Sequence, residues 1–403
     1  MAALKVCIFT ETYHPVVGGG ETQAQLLAEG LIARGHSVII LTRRSDKNLK
    51  KFERIGPIPV YRLLPYGIGQ CKKWGLIFTG FPKLIRLRKQ YDVIFVSGFR
   101  IIGLTAVLLS KLLGKRCILK ADSRGEMSGE FFKKGLKRQG LSPTFLPFRV
   151  FLKLRNFILK KSDAFSAIAE EIASEFISAN IPARKIYHIP NSVDTHRFYP
   201  VSVEQKSVLR KKLDLPATSR IVIYTGRLVS YKGLPLLLRV WQEIQKQHRD
   251  ARLLLLGSGG LDIHNCEAEL RTFVRSNGLA ESVCFTGNVQ NVSEYLQASD
   301  IFSFPTESDA FPSSLVEAMS CGLPVVTTPV GAIKTIVTDK ENGVLIPPGD
   351  FQQLHRALDT LIRDSELAAR LGQAAWKKVQ DHYSAETVTR QYLTLFQKAI
   401  AAA

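Results

Sequence analysis

The sequence lacks paired cysteines. Cys7, Cys71, Cys117, Cys266, Cys284 and Cys321 are scattered, with no C-x-x-C among them. That excludes a disulfide scaffold or zinc ribbon and leaves reduced thiols of a cytosolic protein as the expectation. Long apolar runs are missing too. The most apolar stretch, Ile101 to Leu113, is broken by Lys111 and reads as a buried helix, too short to span a bilayer. The opening MAALKVCIFT runs straight into a strand pattern, without the basic start and small-residue cleavage site of a secretory signal. No strand is followed by G-x-G-x-x-G, which disfavours a nicotinamide or flavin cofactor. There is no Asp-x-Asp, and no metal is expected.

Acids are what the first half has little of. Met1 to Pro200 holds 33 Lys and Arg against 14 Asp and Glu, while the remainder holds 22 against 21. Nearly all of the formal charge of +20 therefore sits in one half. Such an excess serves solubility alone, or it meets an anionic membrane surface, a lipid-linked phosphate or nucleic acid. Between Glu130 and Asp163 no acid occurs at all. Lys133, Lys134, Lys137, Arg138, Arg149, Lys153, Arg155, Lys160 and Lys161 are interleaved there with Phe and Leu. The segment reads either as a basic amphipathic helix in an anionic membrane interface or as a surface helix whose Phe and Leu side faces the core. No nucleic-acid motif accompanies the charge, so nucleic acid is disfavoured.

What is present is a pattern of short buried strands. A chain of 403 residues with 45% hydrophobic content suits two globular domains. LKVCIFT, HSVIILT, VIFVSG, RCILKAD and AFSAIA are β-branched runs without polar alternation, as strands buried on both faces should be. Gln23 to Ala33 has helical spacing and ends at a glycine cap, Gly35. The pattern restarts beyond Pro200 with RIVIYTG, ARLLLLGSGG, VCFTG, IFSFP and LPVVTT, with helices at Leu234 to Lys246 and Ser313 to Met319. The fold class expected is α/β, two Rossmann-like doubly wound parallel sheets. The domains fall at 1–195, 196–384 and a C-terminal helix, 385–403.

Three segments carry chemistry. Gly18, Gly19 and Gly20 follow the first strand and open a helix, so their N–H groups lie at a positively polarised helix end. Arg227 and Lys232 follow the first strand of the second domain, where doubly wound folds bind ligands. Two cations there suit a diphosphate and would stabilise it as a leaving group. Asp309 lies in a loop and Glu317 about one turn inside the next helix, with Ser313 and Ser314 at its start. Carboxylates hold sugar hydroxyls, and a helix start faces phosphate.

Together with RGHSVIILT, IPNSVDTHRF, TGRLVSYKG, LLLLGSGG, GLPVVTTPVGA and NGVLIPPGD, these segments resemble the retaining glycosyltransferases of the GT-B fold, glycosyl transferase group 1 (family 4), over nearly the whole chain. The resemblance implies two domains facing a central cleft, with the C-terminal helix returning to the first. The first domain would bind the acceptor and the second a nucleotide-diphosphate sugar, a co-substrate with no further cofactor. It implies that Gly18, Gly19, Gly20, Gly226 and Gly257 approach the donor and that Arg227 and Lys232 hold its diphosphate. Glu317 would bind ribose, Asp309 the transferred sugar, and the segment Phe311, Ser313, Ser314 and Leu315 would support sugar and phosphate.

Three positions depart from the family pattern. Asp309 stands where the family usually has Glu, and Glu307 is an alternative contact. Ala121-Asp122-Ser123 stands where a His is common near the reacting carbon, making Asp122 a candidate catalytic residue. Gly331-Ala332-Ile333-Lys334-Thr335 replaces Gly-Gly-x-Pro-Glu. The expected activity is metal-independent transfer of a hexose with retention, from a UDP- or GDP-sugar to a glycan or lipid-linked acceptor in cell-envelope synthesis. The place expected is the cytoplasm, with possible peripheral attachment to a membrane. Rival readings are a nucleotide-sugar epimerase, a phosphorylase (no pyridoxal-phosphate lysine is identifiable), or a degenerate relative that binds a polyanion.

Overall fold

The computed structural model describes residues 3–16, 18–67, 74–130, 132 and 146–402. Of the residues singled out above, Cys71, Lys133, Lys134, Lys137 and Arg138 lie outside the described residues. The chain divides into two compact units, Met1–Ser192 with Ala385–Ala403, and Val193–Ser384. The last helix thus belongs to the first unit, and the division falls at Ser192.

In the first unit the strands are β1 (Lys5–Thr10), β2 (Ser37–Arg43), β3 (Phe52–Ile55), β4 (Ile58–Leu63), β5 (Val93–Ser97), β6 (Arg116–Ala121), β7 (Ala164–Ala167) and β8 (Ile186–His188). They form one sheet in the order β3-β4-β2-β1-β5-β6-β7-β8. β1, β2, β5, β6 and β7 are the runs expected from sequence, and almost every residue in them is buried. The exception to a parallel sheet is β3, antiparallel to β4. Its FERI pattern alternates half-buried with exposed, an edge signal that a search for continuous apolar runs passes over. The helix Gly19–Ile32 ends where Gly35 takes a φ of 79° and the His36 N–H returns to the Leu31 carbonyl at 3.1 Å. The helix Ala385–Ala401 packs into the same core, its Tyr392 and Phe396 rings 5.1 and 5.7 Å from Phe95.

The second unit holds β9 (Ile221–Thr225), β10 (Arg252–Leu256), β11 (Val283–Gly287), β12 (Ile301–Phe304), β13 (Val325–Thr327) and β14 (Val344–Leu345). Their order is β11-β10-β9-β12-β13-β14, all parallel. Counted within the unit this is 3-2-1-4-5-6, the doubly wound order, and its direction reverses between β9 and β12. In the helix Leu234–Gln247 the buried positions Leu234, Leu237, Leu238, Trp241 and Ile244 recur at helical spacing, with a proline in the first turn. Each large apolar side chain buried there contributes about 1.5–3 kcal/mol. Both units are α/β and Rossmann-like. Cys7, Cys117, Cys266 and Cys321 are buried free thiols, and Cys284 is exposed. No described helix is long and apolar enough to cross a membrane.

Candidate active site

In the second unit the chain leaves β9 through Gly226 and reaches a short 3-10 turn, Ser230–Lys232, that ends at Gly233. Gly233 has a φ of 74° and presses against the Pro305 carbonyl so closely that a side chain has no room. This contact joins the segments after β9 and β12, on either side of the reversal in strand order. Lys232 sits in the crevice there, mostly buried, its ammonium 5.3 Å from the ring centres of Tyr231 and Phe304. It donates to Asp309 at 2.6 Å and to the Ser308 carbonyl at 3.3 Å. An ammonium has three donors, so one remains for a ligand.

Arg227 is more open. It pairs with Asp262 and donates to the Tyr231 hydroxyl at 2.8 Å. Beside it lies a pocket of about 630 Å³, lined among others by Gly226, Arg227, Gly257, Ser258, Asp262 and Asn288, within the range of small-molecule sites. Glu267 holds one wall by accepting from the Gly259 N–H at 3.0 Å. The pairing partners Asp262 and Tyr231 and the pocket residues Ser258 and Asn288 were not read from sequence. Asp262 follows the glycines of LLLLGSGG by only a few residues, and that closeness is the signal that could have found it.

Glu317 projects from the helix Ser313–Ser320, half-buried, with no hydrogen bond or ion pair among the described residues. Burial pushes its carboxyl up to about 7, opposed by Arg197. The N-cap of this helix is Pro312, without a side-chain acceptor, which leaves the first-turn N–H groups at Ser313 and Ser314 at a positively polarised end of the kind that suits an anion. Leu315 belongs to the expected contact set. It is fully buried and its N–H is engaged by the Pro312 carbonyl at 3.2 Å, so it contributes packing. Phe311 is nearly buried against Tyr383. Between the two acids left open by sequence, Asp309 is the one held in the crevice, whereas the Glu307 side chain is exposed.

The first unit has its own polar cluster where its strand order reverses, between β1 and β5. Asp122, just after β6, accepts from Ser97 at 3.1 Å and pairs with Lys120. Gly20 and Gly98 flank it, and a side chain on either would come within 3.4 and 3.2 Å of its carboxylate. Lys120 is buried. Burial opposes its charge, but Asp122, with Tyr392 adding, outweighs this and raises its pKa. Glu126 accepts from the Asp122 N–H at 3.1 Å, and burial pushes it up to about 7 against the pull of Arg100. Glu175 secures the rest of the loop, accepting from the N–H groups of Gly125, Met127 and Ser128. Lys120 was also missed, although a lone lysine inside an otherwise apolar strand was visible in RCILKAD. Gly18, the N-cap of Gly19–Ile32, lies beside Glu21, which bonds Thr12. Among the described residues, no three His, Cys, Asp or Glu stand together as a metal site.

Residues 205–378 match the family described as glycosyl transferases group 1, and residues 17–197 match glycosyltransferase family 4. The N-acetyl-alpha-D-glucosaminyl L-malate synthase of Bacillus anthracis is 23% identical over 96% of this chain and 95% of its own. Sucrose-phosphate synthase from Thermosynechococcus elongatus has a similar structure, with a TM-score of 0.78 and 23% identity over 99% of this chain and 100% of the other. The Anabaena protein HepE, solved in complex with UDP, gives 0.75 and 20% over 98% and 100%. With the GT-B architecture shared by these structures and the two family matches lying end to end, the chain belongs to the group 1, family 4 glycosyltransferases and its chemistry is glycosyl transfer.

Proposed function

We propose that the second unit binds a nucleotide-diphosphate sugar and that the enzyme transfers its hexose, with retention and without a metal, to an acceptor carried by the first. The observation that carries this reading is Lys232, buried at the reversal between β9 and β12 with a donor to spare. Arg227 and Lys232 meet the diphosphate, while Asp309 shares Lys232 and accepts from the sugar. Glu317 accepts from ribose. The leaving diphosphate gains charge as the bond breaks, and two fixed cations stabilise that charge without reorganising. The nucleoside lies in the pocket beside Arg227. Binding of UDP by the Anabaena relative supports this class of donor, and a UDP- or GDP-sugar is the first choice. The basic first half favours an acceptor that is lipid-linked or anionic, at the cytoplasmic face of a membrane and in envelope synthesis.

A thermal-shift screen of UDP-, GDP- and ADP-sugars tests the donor. At a hundredfold excess over Kd the bound donor contributes about 2.7 kcal/mol, roughly 5–10 °C for a unit of this size. No shift with any of them removes the assignment. Turnover that disappears with chelator and returns with manganese removes the metal-independent part.

Glu317 adds a pH signature. Ribose hydroxyls donate to the ionised carboxylate, so protonation competes with the donor. With the carboxyl at about 7, affinity is expected to fall by about tenfold between pH 8 and pH 6. Glu317→Gln flattens the profile at the weaker level. Calorimetric titration across this range reads both, and a flat wild-type profile refutes the ribose assignment.

A further inference from the structure

Three helices of the first unit, Gly75–Arg86, Ile102–Leu112 and Leu146–Leu159, lie side by side, the middle one packed on both others. The third buries an arginine beside Leu159. Arg155 points inward, buried, and donates to the carbonyls of Arg100, Glu126 and Met127 at 3.1, 2.6 and 3.2 Å. With that side fixed, Leu146, Val150, Leu154 and Phe157 form an outward stripe, each between 56% and 69% exposed. The two neighbouring helices carry exposed apolar side chains of their own, Phe78, Leu108 and Leu112. Trp74 joins the first and third helices, its ring 5.6 Å from Phe151. Single exposed leucines are ordinary, but an exposed apolar stripe in helical register along a whole helix is not.

The charge carried by these helices has one sign. The three helices contain no Asp or Glu. Arg149 and Lys153 are exposed next to the stripe, and Lys161 lies 4.5 Å over the Phe157 ring. One nearby acid, Asp163, is tied to Lys111 at 2.7 Å and Arg116 at 3.4 Å, and another, Glu130, follows Gly129, which packs on Leu152. A second copy seated on this face would bring cations against cations. A surface of lipid phosphates over acyl chains complements both of its properties.

We propose that this three-helix face docks in the interface of an anionic bilayer. Leu146, Val150, Leu154 and Phe157 enter beneath the headgroups, and Arg149, Lys153 and Lys161 meet lipid phosphates. The role of the docking, presenting the first unit to a lipid-linked acceptor, rests on the function proposed above; the docking itself does not.

Sedimentation of the full chain with vesicles of phosphatidylcholine alone, or mixed with phosphatidylglycerol, tests it. Binding is expected to the mixed vesicles and to weaken with salt. Arg149→Ser with Lys153→Ser reduces affinity about fivefold per charge, about thirtyfold together. Leu154→Asp with Phe157→Asp removes the binding that persists in salt. All four side chains are exposed, so circular dichroism and melting stay at the parent values. The proposal is overturned by absent or salt-insensitive binding, by equal binding to neutral vesicles, or by apolar variants that bind like the parent. A dimer that becomes monomeric in the apolar variants overturns it too, assigning the face to a second copy. Vesicle binding without any donor-induced thermal shift sinks the nucleotide-sugar assignment and leaves the docking face standing; the reverse result does the opposite.

Discussion

Lys232→Ala is expected to lower kcat/KM by about 100- to 1000-fold, the loss typical when a charge-stabilising donor at a developing anion is removed. The lysine is mostly buried, wedged beside two rings, and bound to Asp309 at 2.6 Å. Water cannot replace it there as it would at an open site. The effect divides between two causes. The diphosphate loses a cation, and Asp309 loses the partner that aims it at the sugar. Lys232→Arg does not rescue, because a planar guanidinium does not fit the space of an ammonium held between Tyr231 and Phe304. Asp309→Asn keeps the cation and alters only the sugar contact, so it is expected to cost about tenfold less than Lys232→Ala. Arg227→Ala is milder as well, about tenfold, since its side chain is 59% exposed and solvent screens its charge. Steady-state kinetics on the variants, alongside their melting temperatures, separates lost chemistry from lost fold. Turnover near the parent value in Lys232→Ala removes the lysine from the assignment.

The second unit was the more legible one, for a physical reason. Its central strands β9 and β10 are almost wholly buried and run straight into glycines, so the middle of the sheet and the end that carries the site are written in short local runs such as RIVIYTG and ARLLLLGSGG. The pairings were not legible. Asp309 lies 77 residues from Lys232 and Asp262 lies 35 from Arg227, and only the crossovers of the doubly wound sheet bring them together. Leu315 entered the expected contacts through the family resemblance, and helical geometry buries its side chain in the core. The segment ending at Asp163 gave two orientations from sequence. On the inward side of the helix Leu146–Leu159 three carbonyls accept from Arg155, and no periodicity argument contains those carbonyls. The hairpin of β3 and β4 was hidden by charges at Glu53, Arg54 and Arg62, although Arg62 is buried and paired with Glu53.

Asp122→Asn is expected to remove both activity and stability, and a second substitution tells the two apart. Its partner Lys120 has a side chain only 3% exposed, while that of Asp122 is 28% exposed. Neutralising the acid therefore leaves a buried ammonium without its counter-ion. Breaking such a pair costs roughly 3 kcal/mol, the low end of the buried range because one partner reaches solvent, and lowers the melting point by about 10 °C. Lys120→Met alone costs less, since Asp122 keeps Ser97 and some water. The double variant, Lys120→Met with Asp122→Asn, has no stranded charge and recovers most of the lost melting point. Turnover is expected to stay about 100-fold down in the double variant if the carboxylate between Gly20 and Gly98 touches the reacting groups. Activity that returns together with stability makes Asp122 a structural counter-ion to Lys120 and leaves the position where relatives often carry histidine without a chemical role.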